Sequence, residues 1–337
     1  MDGTPSDDAL IDGFLQGTSR TFALAIPLLA VERRRQIGLS YLLFRIADSI
    51  EDAPAADADT KCALLSALGE RFSPSLLGPA RSAEGGLPAS RQPAAPLDLG
   101  GLWPDESPTG RLLRAFPRLM VLFESLPPAV SQAVGTALGS TVGGMLGFLE
   151  ASRGLPHQIQ VQSLADLRLY CYAVAGIVGE MLTDIFVCHH PPGQAVHGDL
   201  RRLAAGFGEF LQLVNILKDS RTDADGGRLF LPRETSRERV HELALAGRRD
   251  ALRYVSVLES HDFPGDIVRF CRFILMLAEG SLEKLRDGGA GSKLTRGEVL
   301  ELLATVASER ASMPERGLAE AGLDGFDSSC GAWEERP

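Results

Sequence analysis

Tyr41-Leu-Leu-Phe-Arg45-Ile-Ala-Asp48-Ser-Ile-Glu51-Asp52 keeps its charged and its apolar side chains in separate rows. At about 100° per residue, Tyr41, Arg45, Asp48 and Asp52 fall on one stripe with Glu51 beside it. Leu42, Leu43, Ile46 and Ile50 fall on the opposite face. The stretch is therefore read as an amphipathic helix that buries one side and gathers three carboxylates on the other. Acids this close repel one another unless a cation or a proton offsets the charge. A metal site is one reading and a solvated acidic helix end is the other, and this stretch alone leaves both open.

The same period continues on either side. Helices are expected over Ser19–Pro27, Val31–Asp52, Asp59–Phe72, Gly110–Glu124, Ala129–Ser152 and Ser163–Cys188, then Asp199–Thr222, Ser236–Ala246, Arg248–Ser260, Pro264–Asp287 and Thr295–Arg310. Aromatics make up only 6% of the chain and β-branched runs are scarce, so the expected class is all-α. Ser73–Thr109 interrupts the series with Pro74, Pro79, Pro88, Pro93, Pro96, Pro104 and Pro108, plus two Gly-Gly pairs. Such composition cannot propagate a helix, and it is read as a flexible surface insertion within one helical domain spanning residues 1–311. Residues 312–337, rich in Gly, Glu and Asp, are expected to be a loosely ordered tail.

The whole chain of 337 residues has 34 basic against 44 acidic side chains, a formal net charge of −10. Nucleic acid is excluded as a partner, because displacing counterions from its phosphates needs a basic stripe. A diphosphate is not excluded, since Mg²⁺ between carboxylates and ligand reverses the local charge. Five cysteines without a CxxC pair fit a reducing cytoplasm. The N-terminus MDGTPSDDAL is no signal peptide, and the longest apolar runs, such as Thr21–Val31, reach about half the length of a membrane span. No transmembrane segment is expected; a peripheral membrane contact stays open, and the oligomeric state is not legible.

A second polar line lies in Gln212-Leu-Val-Asn215-Ile-Leu-Lys218-Asp219-Ser-Arg221-Thr-Asp223. Gln212, Asn215, Asp219 and Asp223 share one helix stripe amid Leu211, Leu213, Val214, Ile216 and Leu217. Alone it reads as the wet face of an amphipathic helix. Two such carboxylate stripes facing each other across a cavity would instead offer hard oxygen ligands, which favour Mg²⁺ over zinc or iron. A di-iron bundle would need paired Glu-x-x-His motifs, and the single Glu238–His241 spacing is incidental. A third stretch, Tyr170-Cys-Tyr-Ala-Val-Ala-Gly176-Ile-Val-Gly179-Glu180, places two glycines inside a helix at a cost of about 1 kcal/mol each. A close approach by a ligand or another helix is a reason to keep them.

Taken in order, Ser19-Arg20-Thr21-Phe22, Tyr41 to Asp52, Tyr170 to Gly179, and Asn215 to Asp223 followed by Gly227-Arg228 and Pro232 resemble the squalene and phytoene synthase family. These are the head-to-head trans-isoprenyl diphosphate synthases. The Ser-Arg-Thr-Phe opening and the Tyr-Cys-x-x-Val-Ala-Gly pattern are more similar to squalene synthases. The resemblance implies a helical isoprenoid synthase fold around a central cavity and two farnesyl diphosphates as substrates. It implies Mg²⁺ held by Asp48, Glu51, Asp52, Asp219, Asp223 and Asn215, with Asp48, Asp52, Asp219, Asp223 and Tyr170 in catalysis. Substrate contacts are implied for Arg20, Thr21, Phe22, Tyr41, Arg45, Val174, Gly179, Gln212 and Arg228. The implied route runs through presqualene diphosphate to squalene, with NADPH as reductant. That cofactor rests on the resemblance alone, because no GxGxxG fingerprint is present. Relatives that stop at presqualene diphosphate, or make dehydrosqualene or phytoene, share the acidic motifs, and a non-catalytic binding protein of the same fold is the rival from another class. Two positions depart from the family pattern: Thr222 stands at the Glu place of the second acidic motif, and Lys218 stands where arginine is common. Eukaryotic squalene synthases carry a C-terminal membrane anchor that this chain lacks, so a soluble bacterial-type enzyme is expected.

Overall fold

The computed structural model describes residues 6–18, 22–54, 56–72 and 97–308. Within them the chain forms α1 Asp7–Thr18, α2 Phe22–Ala25, α3 Val31–Glu51, α4 Ala58–Arg71, α5 Pro108–Arg114, α6 Phe116–Glu124 and α7 Pro128–Ala151. There follow α8 Leu164–Cys171, α9 Ile177–Cys188, α10 His197–Asp225, α11 Arg237–Ser260, α12 Gly265–Gly288 and α13 Arg296–Ser308. Two residues of β1, Ile159–Gln160, pair in parallel with β2, Arg228–Leu229. The expected all-α class holds.

Local chemistry places the helix starts. Asp57 caps α4 by accepting the Thr60 amide, and Ser107 caps α5 by accepting the Gly110 amide just after Pro108. Ser163 and Asp166 cap α8 reciprocally, and Ser236 caps α11. The start of α3 has no side-chain cap of its own; Asp266 at the start of α12 accepts from the Ala30 amide at 2.8 Å and from both arms of Arg33. That bidentate pair joins two helices that both line the cavity described below.

Several expectations need correction. The N-terminal residues, where the periodicity predicts no helix, form α1, which buries Ile11 and Leu15 against α3. Gly38 on α3 permits this, since a Cβ there would sit 2.8 Å from Ile11. The expected helix Gly110–Glu124 divides at Ala115, where Pro117 opens α6. The two expected helices on either side of Gly247 are one, α11; that glycine lets α11 lie on α10, with its hypothetical Cβ 2.7 Å from the Gly206 carbonyl. The flexible insertion expected as far as Thr109 is packed from Leu97 onward: Leu99 and Leu102 are buried, and Trp103 donates to the Ser49 carbonyl at 2.8 Å. The rest of that insertion and the expected tail lie outside the described residues.

The continuous helical segment Leu164–Cys188, made of α8, a π turn at Tyr172–Gly176 and α9, has a mean hydropathy of 1.6 over its most apolar window. By length and composition it could cross a membrane, which overturns the expectation that no run approaches that length. It packs between α7 and α10, which accounts for its hydropathy as a core helix. The π turn and α9 press onto α10 through Gly208, Gly176 and Gly179; a Cβ on Gly208 would lie 2.3 Å from the Ala175 carbonyl. The glycines of this motif thus serve helix contact, and the backbone approach shapes one wall of a cavity.

Candidate active site

Every sequence-derived site residue that the structure describes borders one cavity of about 690 Å³. Phe22 enters from α2, and Tyr41, Arg45, Asp48, Glu51 and Asp52 from the α3 end. Tyr170, Val174 and Gly179 line the second wall, Gln212, Asn215, Asp219 and Asp223 the third, and Arg228 arrives from β2. Arg20 and Thr21 lie outside the described residues. Beyond the charged rim the walls are Phe186, Phe207, Leu182, Phe270, Ile274 and Leu277, with the Tyr254 hydroxyl paired to Thr183 at 2.9 Å. The chamber is therefore polar at one end and apolar at the other.

The three acids of α3 occupy different environments. Glu51 is turned inward and is only 5% exposed. Its Oε2 accepts from the Tyr170 hydroxyl at 3.4 Å, and its Oε1 has no hydrogen-bond partner among the described residues. Burial, reinforced by the charges of Asp52 and Asp48, pushes the Glu51 carboxyl up to about 8 against the pull of Arg228. Asp48 is held inside the cavity walls, yet 44% of its side chain stays open to the cavity's solvent. Desolvation raises it to about 6, with Arg45 at 4.0 Å opposing and Asp52 adding to the rise. At neutral pH Asp48 is thus mainly ionised, while Glu51 keeps a proton. Burial also holds the Tyr170 phenol well above its ordinary value, so it remains a neutral donor between the rings of Phe148 and Phe230, at 5.2 and 4.7 Å.

Across the cavity Arg228 links the two acidic stripes. Its Nη1 donates to Asp52 at 2.7 Å and its Nη2 to Asp223 at 3.0 Å. Gly227 makes this reach possible: it adopts φ +79°, a left-handed conformation that glycine enters freely. Burial raises the Asp223 carboxyl, and the Arg228 hydrogen bond draws it back. Lys218 donates to Asn215 at 2.9 Å and lies 3.3 Å from Asp219, with Lys293 3.8 Å away on the other side. Arg237 ties this part of α10 to α11 through the Leu217 carbonyl and Ser220. The departure at Thr222 has a simple geometry: that side chain is exposed and points off the cavity, whereas Glu51 in the first motif is buried.

Two neighbours of the acids were not read from the sequence. Phe230 follows Arg228 and stacks on Tyr170. Lys61 of α4 is 1% exposed and donates to Gln158 at 2.6 Å. A lysine in Asp-Ala-Asp-Thr-Lys61 looks like any surface charge; only the apolar period of α4, on which it falls with Leu65 and Leu68, gives a hint.

The donor set can be tested against a divalent cation. Among the described residues no three Asp, Glu, His or Cys side chains converge to cage an ion. The three α3 carboxylates line one cavity, as the helix period predicts, but they are engaged differently: Glu51 faces Tyr170, and Arg228 fills the space between Asp52 and Asp223. Mg²⁺ is commonly held by one or two carboxylates with phosphate oxygens and water completing the octahedron. Such a cation fits oxygen-only donors at the cavity rim with an unpartnered Glu51 oxygen behind them, provided a diphosphate brings further ligands.

A family model described as squalene/phytoene synthase matches residues 15–299. The chain belongs to that family. It is 30% identical over 228 residues to squalene synthase of Yarrowia lipolytica, a match covering 67% of this chain and 45% of that protein. Over 218 residues it is 29% identical to a squalene synthase of Saccharomyces cerevisiae, covering 64% of this chain and 44% of the relative. The chain thus matches less than half the length of these curated family members. The fold is that of TcSQS in its complex with the ligand BPH1237, with a TM-score of 0.64, 22% identity, and 93% and 94% of the two chains covered. A ligand-bound dehydrosqualene synthase superposes with a TM-score of 0.55 and 21% identity over 91% of this chain and 97% of that one.

Proposed function

We propose that this protein is a prenyltransferase that condenses two molecules of farnesyl diphosphate head to head through presqualene diphosphate, in the manner of a squalene synthase. One observation carries the reading: two carboxylate stripes on separate helices meet at the rim of an apolar chamber and are joined there by an arginine. A diphosphate needs the charged rim, and a farnesyl chain needs the apolar remainder.

In this reading Asp48 and Asp52 on one wall, and Asp219 and Asp223 with Asn215 on the other, are the residues that would hold Mg²⁺. The metal supplies charge neutralisation that makes diphosphate a better leaving group. Arg45 and Arg228 add guanidinium contacts to phosphate oxygens, Arg228 exchanging a carboxylate for a phosphate. Breaking the carbon–oxygen bond leaves an allylic cation, which Phe22, Tyr41, Val174 and the α9 face enclose away from water. The double bond of the second chain attacks it, and loss of a proton closes the cyclopropane. Tyr170 stands beside that step: its hydroxyl, held by Glu51 Oε2, steers the departing proton to the released diphosphate, which is the base that takes it. Gln212 sits on the same rim to orient the polar end. NADPH would supply the hydride that ends the route at squalene, and no GxGxxG fingerprint in the chain marks where it would bind. The enzyme is placed in the cytoplasm, with peripheral membrane contact when the hydrocarbon product leaves.

The test is incubation of the protein with farnesyl diphosphate and Mg²⁺, with and without NADPH, and mass analysis of the extract. Squalene formed only with NADPH is the expected result. Presqualene diphosphate in both tubes identifies an enzyme of the first half-reaction, and dehydrosqualene identifies an ending without reduction. No metal-dependent product overturns the enzymatic reading in favour of a binding protein.

A further inference from the structure

Fully buried lysines are rare because an ammonium loses its hydration, and they persist where something fixed requires a positive charge or three donors. Lys61 is such a residue. Its stem lies in the α4 core face and its Nζ meets Gln158 Oε1 at 2.6 Å. Glu51 and Asp52 are near enough to act on its charge from the other side. Gln158 is itself exposed and lies over the ammonium. Its backbone amide donates to the Gly227 carbonyl at 2.9 Å, and its Cγ lies 3.9 Å from where a Cβ on Gly227 would be. Gly227 is the left-handed residue next to Arg228, and Arg228 pairs with Ile159 in the two-residue ladder. An unbroken chain of contacts therefore runs from Lys61 through Gln158 and Gly227 to the guanidinium that spans Asp52 and Asp223.

We propose that Lys61 is a positioning residue: from behind the first acidic motif it anchors Gln158, and thereby sets the Gly227–Arg228 turn so that Arg228 bridges the two acidic helices. Three features point the same way. The ladder is too short to define its own register, with only the Gln160–Leu229 pair beyond the one that carries Arg228. Its far end is held by Ser152, which accepts the Gln160 amide at 2.9 Å. Its near end is held by the Lys61–Gln158 contact. The buried cation is not among the residues that line the cavity, and Asp52 and Glu51 both act on its charge, so it offsets acid repulsion without blocking a ligand.

The inference rests on the reading of the rim as a diphosphate site, and the experiment separates the two. Inorganic pyrophosphate with Mg²⁺ is titrated calorimetrically into the wild-type protein, Lys61→Met, Gln158→Leu and Gln158→Glu, with helical circular dichroism recorded on each. Wild-type binding with a loss of about tenfold or more in Lys61→Met, a smaller loss in Gln158→Leu and recovery in Gln158→Glu, which keeps an acceptor, is the expected pattern. In turnover, the same variants raise KM for the diphosphate substrate more than they lower kcat. Wild-type affinity in both Lys61→Met and Gln158→Leu overturns the proposal and leaves the site reading in place. No pyrophosphate binding by the wild-type protein overturns the site reading itself. If Lys61→Met does not fold, the surface variants at Gln158 decide, because they remove or keep the acceptor without opening the core.

Discussion

At the scale of single residues, the rim contains more negative charge than a resting protein tolerates easily, and it relieves that charge in three ways. Arg228 takes up one oxygen each from Asp52 and Asp223, Glu51 holds a proton, and Asp48 stays partly hydrated. Each has a consequence. A carboxyl pushed from the ordinary 4.5 to about 8 keeps its proton in the fold while the unfolded chain releases it. Below pH 4.5 both states are protonated and nothing is lost; between about 4.5 and 8 the fold loses stability as pH rises, and above 8 the loss is complete. The metal-free melting temperature is therefore expected to fall across that interval and Glu51→Gln to flatten the slope; an unchanged slope refutes the Glu51 assignment. Asp48→Ala and Asp219→Ala are expected to lower turnover by at least about 10³-fold, the scale seen when a charge-stabilising group is removed from an active site. Helical content and the metal-free melting temperature should stay at or slightly above wild type in Asp48→Ala, because a member of a repelling set has gone. An unaffected rate would sink the metal assignment.

At the scale of elements, the site depends on how closely α10 approaches the π turn. A Cβ on Gly208 would lie 2.3 Å from the Ala175 carbonyl oxygen and 2.8 Å from the Gly176 Cα, and these nearest atoms are all backbone. Backbone cannot swing aside as a side chain can, so Gly208→Ala must separate the helices. The expected cost is about 1–3 kcal/mol in urea unfolding, the range for overpacking a core, together with weaker Mg²⁺-pyrophosphate binding as Asp219 and Asp223 retreat. Helix periodicity made most of these elements legible, because long amphipathic segments such as α3, α7 and α10 reveal their buried stripe directly. What stayed hidden has physical causes. In α1 only Ile11 and Leu15 are fully buried, with Leu10 and Phe14 half-buried beside them, and its partner Gly38 contributes no side chain to a pattern. Gly247 looked like a break because propensity disfavours glycine in helices, while tertiary contact with Gly206 supplies the reason for it. The π turn adds one residue to a turn without leaving a mark in composition. Of the site, the acids could be read because polar stripes on apolar helices need partners, and Arg228 only through the family resemblance. Lys61 and Phe230 could not, since Lys61 meets Gln158, 97 residues away in the chain, and Phe230 meets Tyr170 on another element.

At the scale of the whole molecule, the helices enclose a volume whose length limits the chain that fits in it. Phe186 and Phe270 meet edge to face at the apolar end, with ring centroids 6.2 Å apart, and both are buried. Ile274 and the Thr183-paired Tyr254 complete that end. Two aromatic rings locked against each other are a stiff barrier, because neither can rotate without displacing the other. Removing part of one ring should therefore lengthen the chamber more than it loosens the fold. In Phe186→Leu the expected stability loss is about 1–2 kcal/mol, less than complete truncation to alanine would cause. The expected gain is in selectivity: one isoprene unit more should be accepted, shifting the ratio of kcat/KM for geranylgeranyl over farnesyl diphosphate upward by about 10-fold or more, the scale on which apolar pockets discriminate added carbon. Competition between the two diphosphates in one tube, with mass analysis of the products, reads that ratio directly. A ratio identical to wild type would show that chain length is set nearer the rim, by Phe22 and Tyr41, whose rings stack at 5.2 Å beside the charged end. The rim contacts only the diphosphate and the first carbons in the proposed reading, so kcat for farnesyl diphosphate should remain close to wild type while the longer substrate improves.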